Sequence, residues 1–201
     1  MHITTIIEAT AVLVAAFSGF IEARRKRMDL VGVFTVAFIA AFGGGTLRDI
    51  LLDKRPLFWV IHQEYAILIF VLALVASPLM RTLRQIVSER LIVVDDAFGL
   101  GLFSVAGVSA ALDAQMPLFV ASMMGVITGI FGGVLRDIVC NEVPMVFRDG
   151  KPYAVCAFVG NWIFLLMGFY GVDKDVALWS SAMLIVVFRL LAWKLDLTLG
   201  R

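Results

Sequence analysis

The chain has 201 residues, 61% of them hydrophobic and only 16% charged, with a mean hydropathy of +0.97. Soluble domains hold roughly 45–50% apolar residues. A core of this size cannot hide such an excess from water, so most of the surface must face lipid. A formal net charge of +1, with no basic domain, argues against a nucleic-acid partner.

Seven apolar runs reach the roughly 17–25 residues that a helix needs to cross a bilayer. They cover about 5–23, 30–52, 62–80, 92–112, 118–140, 153–171 and 175–193, joined by short polar connections. The first run is a retained span, because its basic cluster Arg24-Arg25-Lys26-Arg27 follows the run and no small-residue cleavage site appears. Positive charge sets the orientation. With the N-terminus outside, the cytoplasmic side receives Arg24 to Arg27, Arg81, Arg84, Arg90, Arg148, Lys151, Lys194 and Arg201, with Arg189 near it. The outer side keeps Lys54, Arg55 and Lys174.

Within the second and fifth runs a motif is doubled. Residues 44–50 read Gly-Gly-Thr-Leu-Arg-Asp-Ile, and 88 positions later residues 132–138 read Gly-Gly-Val-Leu-Arg-Asp-Ile. The same offset relates Gly19 to Gly107, Met28 to Met116, Pro56 to Pro144 and Tyr65 to Tyr153. The chain is therefore expected to be one all-α membrane domain, 1–201, made of two three-span units, about 5–80 and 92–171. A seventh helix at about 175–193 is appended. An odd number of spans per unit sends the second copy in from the opposite side, which gives an inverted repeat.

Adjacent glycines weaken a helix by about 1 kcal/mol each relative to Ala. The sequence thus predicts breaks in the second and fifth spans at Gly43-Gly44-Gly45 and Gly132-Gly133. New half-helices would start near Thr46 and Val134 and aim their dipoles at a hydrated cavity. Close packing of helices is the alternative reading, preferred for Gly19, Gly107, Gly125 and Gly160. Helix neighbours point about 100° apart, so Arg48 is not expected to bridge Asp49, nor Arg136 to bridge Asp137. Partners at matching depth are expected instead. They form an outer cluster of Glu8, Arg48 and Asp49, and an inner cluster of Asp95, Asp96, Arg136 and Asp137. Such charges either line a water path or tie helices together, and Thr46 and Thr128 could line the path by their hydroxyls.

Cys140 and Cys156 lack metal or redox spacing, and His2 and His62 lack a second ligand. No nucleophile-and-base arrangement or phosphate loop appears, so no enzyme activity, cofactor or metal is expected. Trp59, Trp162, Trp179, Trp193 and the tyrosines fall mostly near span ends, as interfacial anchors do.

Two three-span units, each carrying Gly-Gly-x-Leu-Arg-Asp and followed by a seventh helix, resemble the prokaryotic trimeric intracellular cation (TRIC) channels. This family has also been labelled glycine-transporter-like. The resemblance runs from about Ile6 to Trp193. It implies an inner-membrane homotrimer in contact with lipid, with a pore through each protomer lined by kinked second and fifth spans. Potassium and other monovalent cations would be the permeant ions. In the second copy Phe131 replaces the first of the three glycines, which would make that break tighter or displace it toward Gly129. A carrier of a small solute such as glycine is the other transport reading. A membrane scaffold would explain trimer contacts but not the doubled glycines.

Overall fold

The computed structural model describes residues 3–82, 89–148 and 150–198. His2 and the charges assigned to Arg84 and Arg201 lie outside these residues. Among the described residues every regular element is helical. The helices are α1 (Ile3–Arg25), α2 (Leu30–Leu51), a short α3 (Phe58–Ile61), α4 (Gln63–Thr82), α5 (Glu89–Asp113), α6 (Leu118–Val139), α7 (Tyr153–Phe169) and α8 (Lys174–Lys194). A single 3-10 turn, Met145–Phe147, follows α6.

Local chemistry marks the ends. Arg24 and Arg25 fill the last turn of α1, where a helix favours cations. The Asp29 side chain caps α2 by accepting the Gly32 N–H at 2.8 Å. Asp173 does the same for α8 through the Asp175 and Val176 amides. Five described helices, α1, α2, α5, α6 and α8, are long and apolar enough to cross a membrane. The other two expected spans coincide with α4 and α7, and α7 has 17 residues. The short α3 was not expected from the sequence.

α5 is the hub. Of its apolar window 78% is buried, against 39–50% for the other four. It packs on α1, α6, α7 and α8, and more lightly on α2. A helix apolar on all sides has no face reserved for water and can occupy the centre of a bundle.

The predicted helix breaks are not there. α2 runs through Gly43–Gly45 and α6 through Gly132–Gly133 as continuous α-helix, so no half-helices begin at Thr46 or Val134. The reason is the crossing of these two helices. A Cβ on Gly44 would overlap the Thr128 carbonyl oxygen, and one on Gly132 would lie 2.5 Å from the Ala40 carbonyl oxygen. Glycine lets the backbones touch, and close packing is what holds helices together in lipid, where burial from water gives no drive. The cost in propensity is borne while both helices stay continuous. The contact is also reciprocal: Gly44 and Gly132 are 88 residues apart, and so are Ala40 and Thr128. Gly19, Gly107, Gly125 and Gly160 are crowded by neighbouring helices as well, in keeping with the packing role expected of them.

Candidate functional site

The second glycine of each pair behaves differently. A Cβ on Gly45 would meet nothing within 4 Å, and one on Gly133 would have its nearest neighbour, Asp96 Oδ1, at 3.8 Å. Each faces a cavity, and beside each cavity stands one of the two charge clusters.

In the cluster expected to lie outside, called the outer cluster for that expectation, Arg48 is buried in the last turn of α2. Its Nη1 donates to Glu8 Oε1 of α1 at 2.7 Å, and its Nε donates to Asp49 Oδ1 at 2.8 Å. The other Asp49 oxygen accepts the Phe58 N–H of α3 at 2.8 Å. The partnership of Glu8 with Arg48 is as expected. The bridge between the neighbours Arg48 and Asp49 is not, and it corrects the expectation that they point apart. Three methylenes let the guanidinium fold back around the helix, and the amide at Phe58 holds the carboxylate where it can be reached. In a low-dielectric interior this attraction outweighs the rotamer cost. The cavity holds about 10 Å³, room for one water. Glu8, Val12, Gly45, Thr46, Arg48 and Phe103 are among its lining residues.

The cluster expected to lie inside, called the inner cluster in the same sense, repeats the plan with changes. Arg136 Nε donates to Asp137 Oδ1 at 2.9 Å, and Asp137 Oδ2 accepts the Met145 N–H at 2.9 Å. This neighbour bridge too corrects the expectation. Arg136 Nη1, the counterpart of the nitrogen that Arg48 gives to Glu8, donates to Ser18 Oγ of α1 rather than to a carboxylate. Asp95 and Asp96 stand around the same cavity, but among the described residues each leaves one carboxylate oxygen, Oδ2, without a hydrogen-bond partner. Asp96 is within electrostatic reach of Arg136 and Arg189 and interacts with the Tyr153 hydroxyl. The cavity holds about 30 Å³ and is bordered by Ser18, Asp95, Asp96, Gly99, Phe103, Gly129, Gly132, Gly133, Arg136 and Tyr153. Asp137 borders a smaller adjoining space with Asp96 and Met145.

Three polar residues of this site, Arg189, Tyr153 and Ser18, were not assigned to it from sequence; Tyr153, expected as an interfacial anchor, is buried beside Asp96. Arg189 of α8 is 2% exposed, and its guanidinium carbon lies 4.6 Å from the Tyr153 ring centroid, within cation–π range. Its signal was an arginine inside an apolar span, which the positive-inside count treated as an end residue. Ser18 carried no signal beyond being a hydroxyl in an apolar run. Of the expected path residues, Gly43, Gly44, Asp49 and Thr128 border none of these spaces. A Cβ on Gly43 would meet Leu135 at 2.9 Å, and the Thr128 hydroxyl donates to the Met124 carbonyl at 2.6 Å inside α6.

Beyond the end of α6, Glu142 accepts from Lys26 of the α1–α2 turn and from Arg148 at 2.6 Å. These hydrogen bonds hold the Glu142 carboxyl below its ordinary value of 4.5 and the Lys26 ammonium above 10.5.

A family model described as glycine transporter matches the chain twice, at residues 5–81 and 93–168, with starts 88 residues apart. The chain belongs to this family. The double match reports the same duplication that the motif offset and the reciprocal crossing express. The chain is also 34% identical to a UPF0126 membrane protein of Vibrio cholerae over 194 residues, 96% of this chain and 80% of the relative. It is 33% identical to the UPF0126 inner membrane protein YadS of Escherichia coli, over 95% of this chain and 93% of YadS. Among solved structures, a TRIC cation channel studied for its conductance superposes with a TM-score of 0.85 at 34% identity, covering 98% of this chain and 96% of the other. The TRIC orthologue from Rhodobacter sphaeroides superposes at 0.88 with 28% identity, covering 98% of this chain and all of the orthologue. The fold is that of the TRIC channels, and the protein is a multi-pass membrane protein.

Proposed function

We propose that the protein is a cation channel that passes potassium and other monovalent cations through each protomer of a homotrimer in the inner membrane. The observation that carries this reading is the pair of small cavities, each set beside buried charge with a formal excess of one negative. Glu8 and Asp49 outnumber Arg48 on the outer side, and Asp95, Asp96 and Asp137 outnumber Arg136 and Arg189 on the inner side. Carboxylates at a constriction favour cations, while the nearby arginines keep any site from becoming too deep to leave. The two solved channels that share the fold support the same reading, and the Rhodobacter sphaeroides orthologue, a trimeric intracellular cation channel, is the basis for proposing a trimer here.

The reciprocal contact between α2 and α6 supports the inverted repeat. If Gly44 touches Thr128 and Gly132 touches Ala40, exchanging the two copies leaves the contact unchanged. A two-fold relation between repeats does that, and three spans per repeat place its axis in the membrane plane. The proposed topology has the N-terminus outside and the C-terminus cytoplasmic, following the basic residues. The family's label keeps a glycine carrier as the second reading. Cavities of about 10 and 30 Å³ suit a water or a bare ion, whereas a whole amino acid displaces several waters.

Recording from purified protein in planar bilayers under potassium, sodium and chloride gradients tests this. The expected reversal potential follows the cations. Absence of cation current, together with glycine uptake into proteoliposomes, would replace the channel with the carrier.

A further inference from the structure

We infer that the Phe103 ring is the septum between the outer and inner cavities and sets how readily a cation crosses from one to the other; this rests on the channel reading above. Phe103 lies on α5, the central helix, and is 8% exposed. Among the described residues it is the one that borders both of these cavities. Around it the divide falls between near neighbours. α1 contributes Val12 to the outer cavity and Ala15 to the inner, and α2 contributes Ala41 and Ala40 in the same way.

Of the side chains at this divide, the phenyl ring is the largest. It offers no hydrogen bond to an ion that would have to shed water to pass, and apolar constrictions of this kind gate by dewetting. Its counterpart in the other repeat is Ala15, so the barrier is a single ring and not a symmetric pair. The electrostatics on its two faces differ. On the outer face the contacts of Arg48 engage both carboxylates, whereas on the inner face Asp95 and Asp96 keep unpartnered oxygens. A cation would therefore wait on the inner side of the ring.

The test uses two reporter cysteines in protein whose native Cys140 and Cys156 are replaced by Ala. Gly45→Cys places a thiol in the outer cavity and Gly99→Cys one in the inner. At both positions a Cβ meets nothing within 4 Å. Silver ion, a thiol-reactive monovalent cation close to potassium in size, is applied to one side of oriented proteoliposomes. Modification is read as protection from later maleimide labelling after denaturation. With Phe103 intact, each reporter is expected to react many-fold faster from its own side. In Phe103→Ala both should react from either side, and cation conductance in planar bilayers should rise several-fold. Phe103→Leu should be intermediate and Phe103→Trp should fall below the parent.

If intact Phe103→Ala trimers keep one-sided labelling and parental conductance, the septum is overturned. It is also overturned if both reporters react equally from both sides with Phe103 present. Should Phe103→Ala fail to assemble, the Leu and Trp variants carry the same decision by their opposite shifts. If labelling becomes two-sided while neither the parent nor any variant carries cation current, the septum stands and the channel reading fails.

Discussion

The outer and inner charge clusters are built from corresponding residues, yet they are finished differently. Outside, Arg48 binds two carboxylates and the second Asp49 oxygen is capped by a backbone amide, which closes the network. Inside, Ser18 takes the bond that Glu8 takes outside, and the counterpart of Glu8, Asp96, is left with Tyr153 and the field of two arginines. Duplication supplied one plan. One substituted partner turned a closed ion-pair knot into an open acidic cavity. A closed network holds helices in place, and an open one has capacity left for a cation.

The largest expected effect comes from cutting the knot. Arg48→Ala strips the partner from the buried Asp49 and the half-buried Glu8 at once and should cost about 3–5 kcal/mol, the range for breaking buried pairs. Arg136→Ala should fall at the low end of that range, because Arg189 stays near Asp96 and the Met145 amide still holds Asp137. Thermal unfolding in detergent compares the two. Equal losses would mean that the clusters are equivalent after all.

The glycine pairs give the next effect. Gly44→Ala and Gly132→Ala push a methyl into a backbone carbonyl and should destabilise by about 1–3 kcal/mol, the usual cost of overpacking. Gly45→Ala and Gly133→Ala meet open space and should stabilise by up to about 1 kcal/mol through helix propensity. Similar shifts at all four positions in the same melts would remove the distinction between packing and cavity-facing glycines.

Conductance sharpens the contrast between open and closed. Asp96→Asn should lower cation conductance several-fold at limiting potassium while changing stability by less than about 1 kcal/mol, since one of its oxygens has no partner to lose. Glu8→Gln should do the reverse, with a clear loss of stability and a smaller change in conductance. Bilayer recording and melting of both variants check this, and matched effects would erase the difference.

The smallest effect lies outside the membrane. Glu142 is held below 4.5, so its contribution is full above that value and fades as pH falls through its lowered folded value. Lys26 is held above 10.5, so its contribution is full below that value and fades as pH rises through its raised folded value. The tie therefore acts across neutral pH. Glu142→Gln should flatten the acid limb of the stability profile slightly. The corresponding outer residues are Lys54 and Ala114, which cannot form such a tie.

Much of this was legible in order of sequence. Apolar runs gave spans, because a bilayer demands uninterrupted length, and the 88-residue offset gave the duplication. Glu8 could be matched to Arg48 by depth alone, since position along a span is position across the membrane. The glycine pairs were misread because propensity is a property of an isolated helix, and it cannot weigh what a touching neighbour gives back. The neighbour bridges were missed because an angle between Cβ directions says little about a guanidinium four atoms further out.

By itself the sequence determined that this chain lives in lipid, that it was doubled, and which charges lie at which depth. These follow from hydropathy and repetition, which are one-dimensional. Only the tertiary structure decided that Gly44 and Gly132 are crossing points while Gly45 and Gly133 face cavities. It also placed Ser18 on Arg136, drew Arg189 over Tyr153, and set one phenylalanine between two spaces. Each of these depends on which faces of separate helices meet. That is settled by packing among side chains far apart in the chain, a relation no local pattern records.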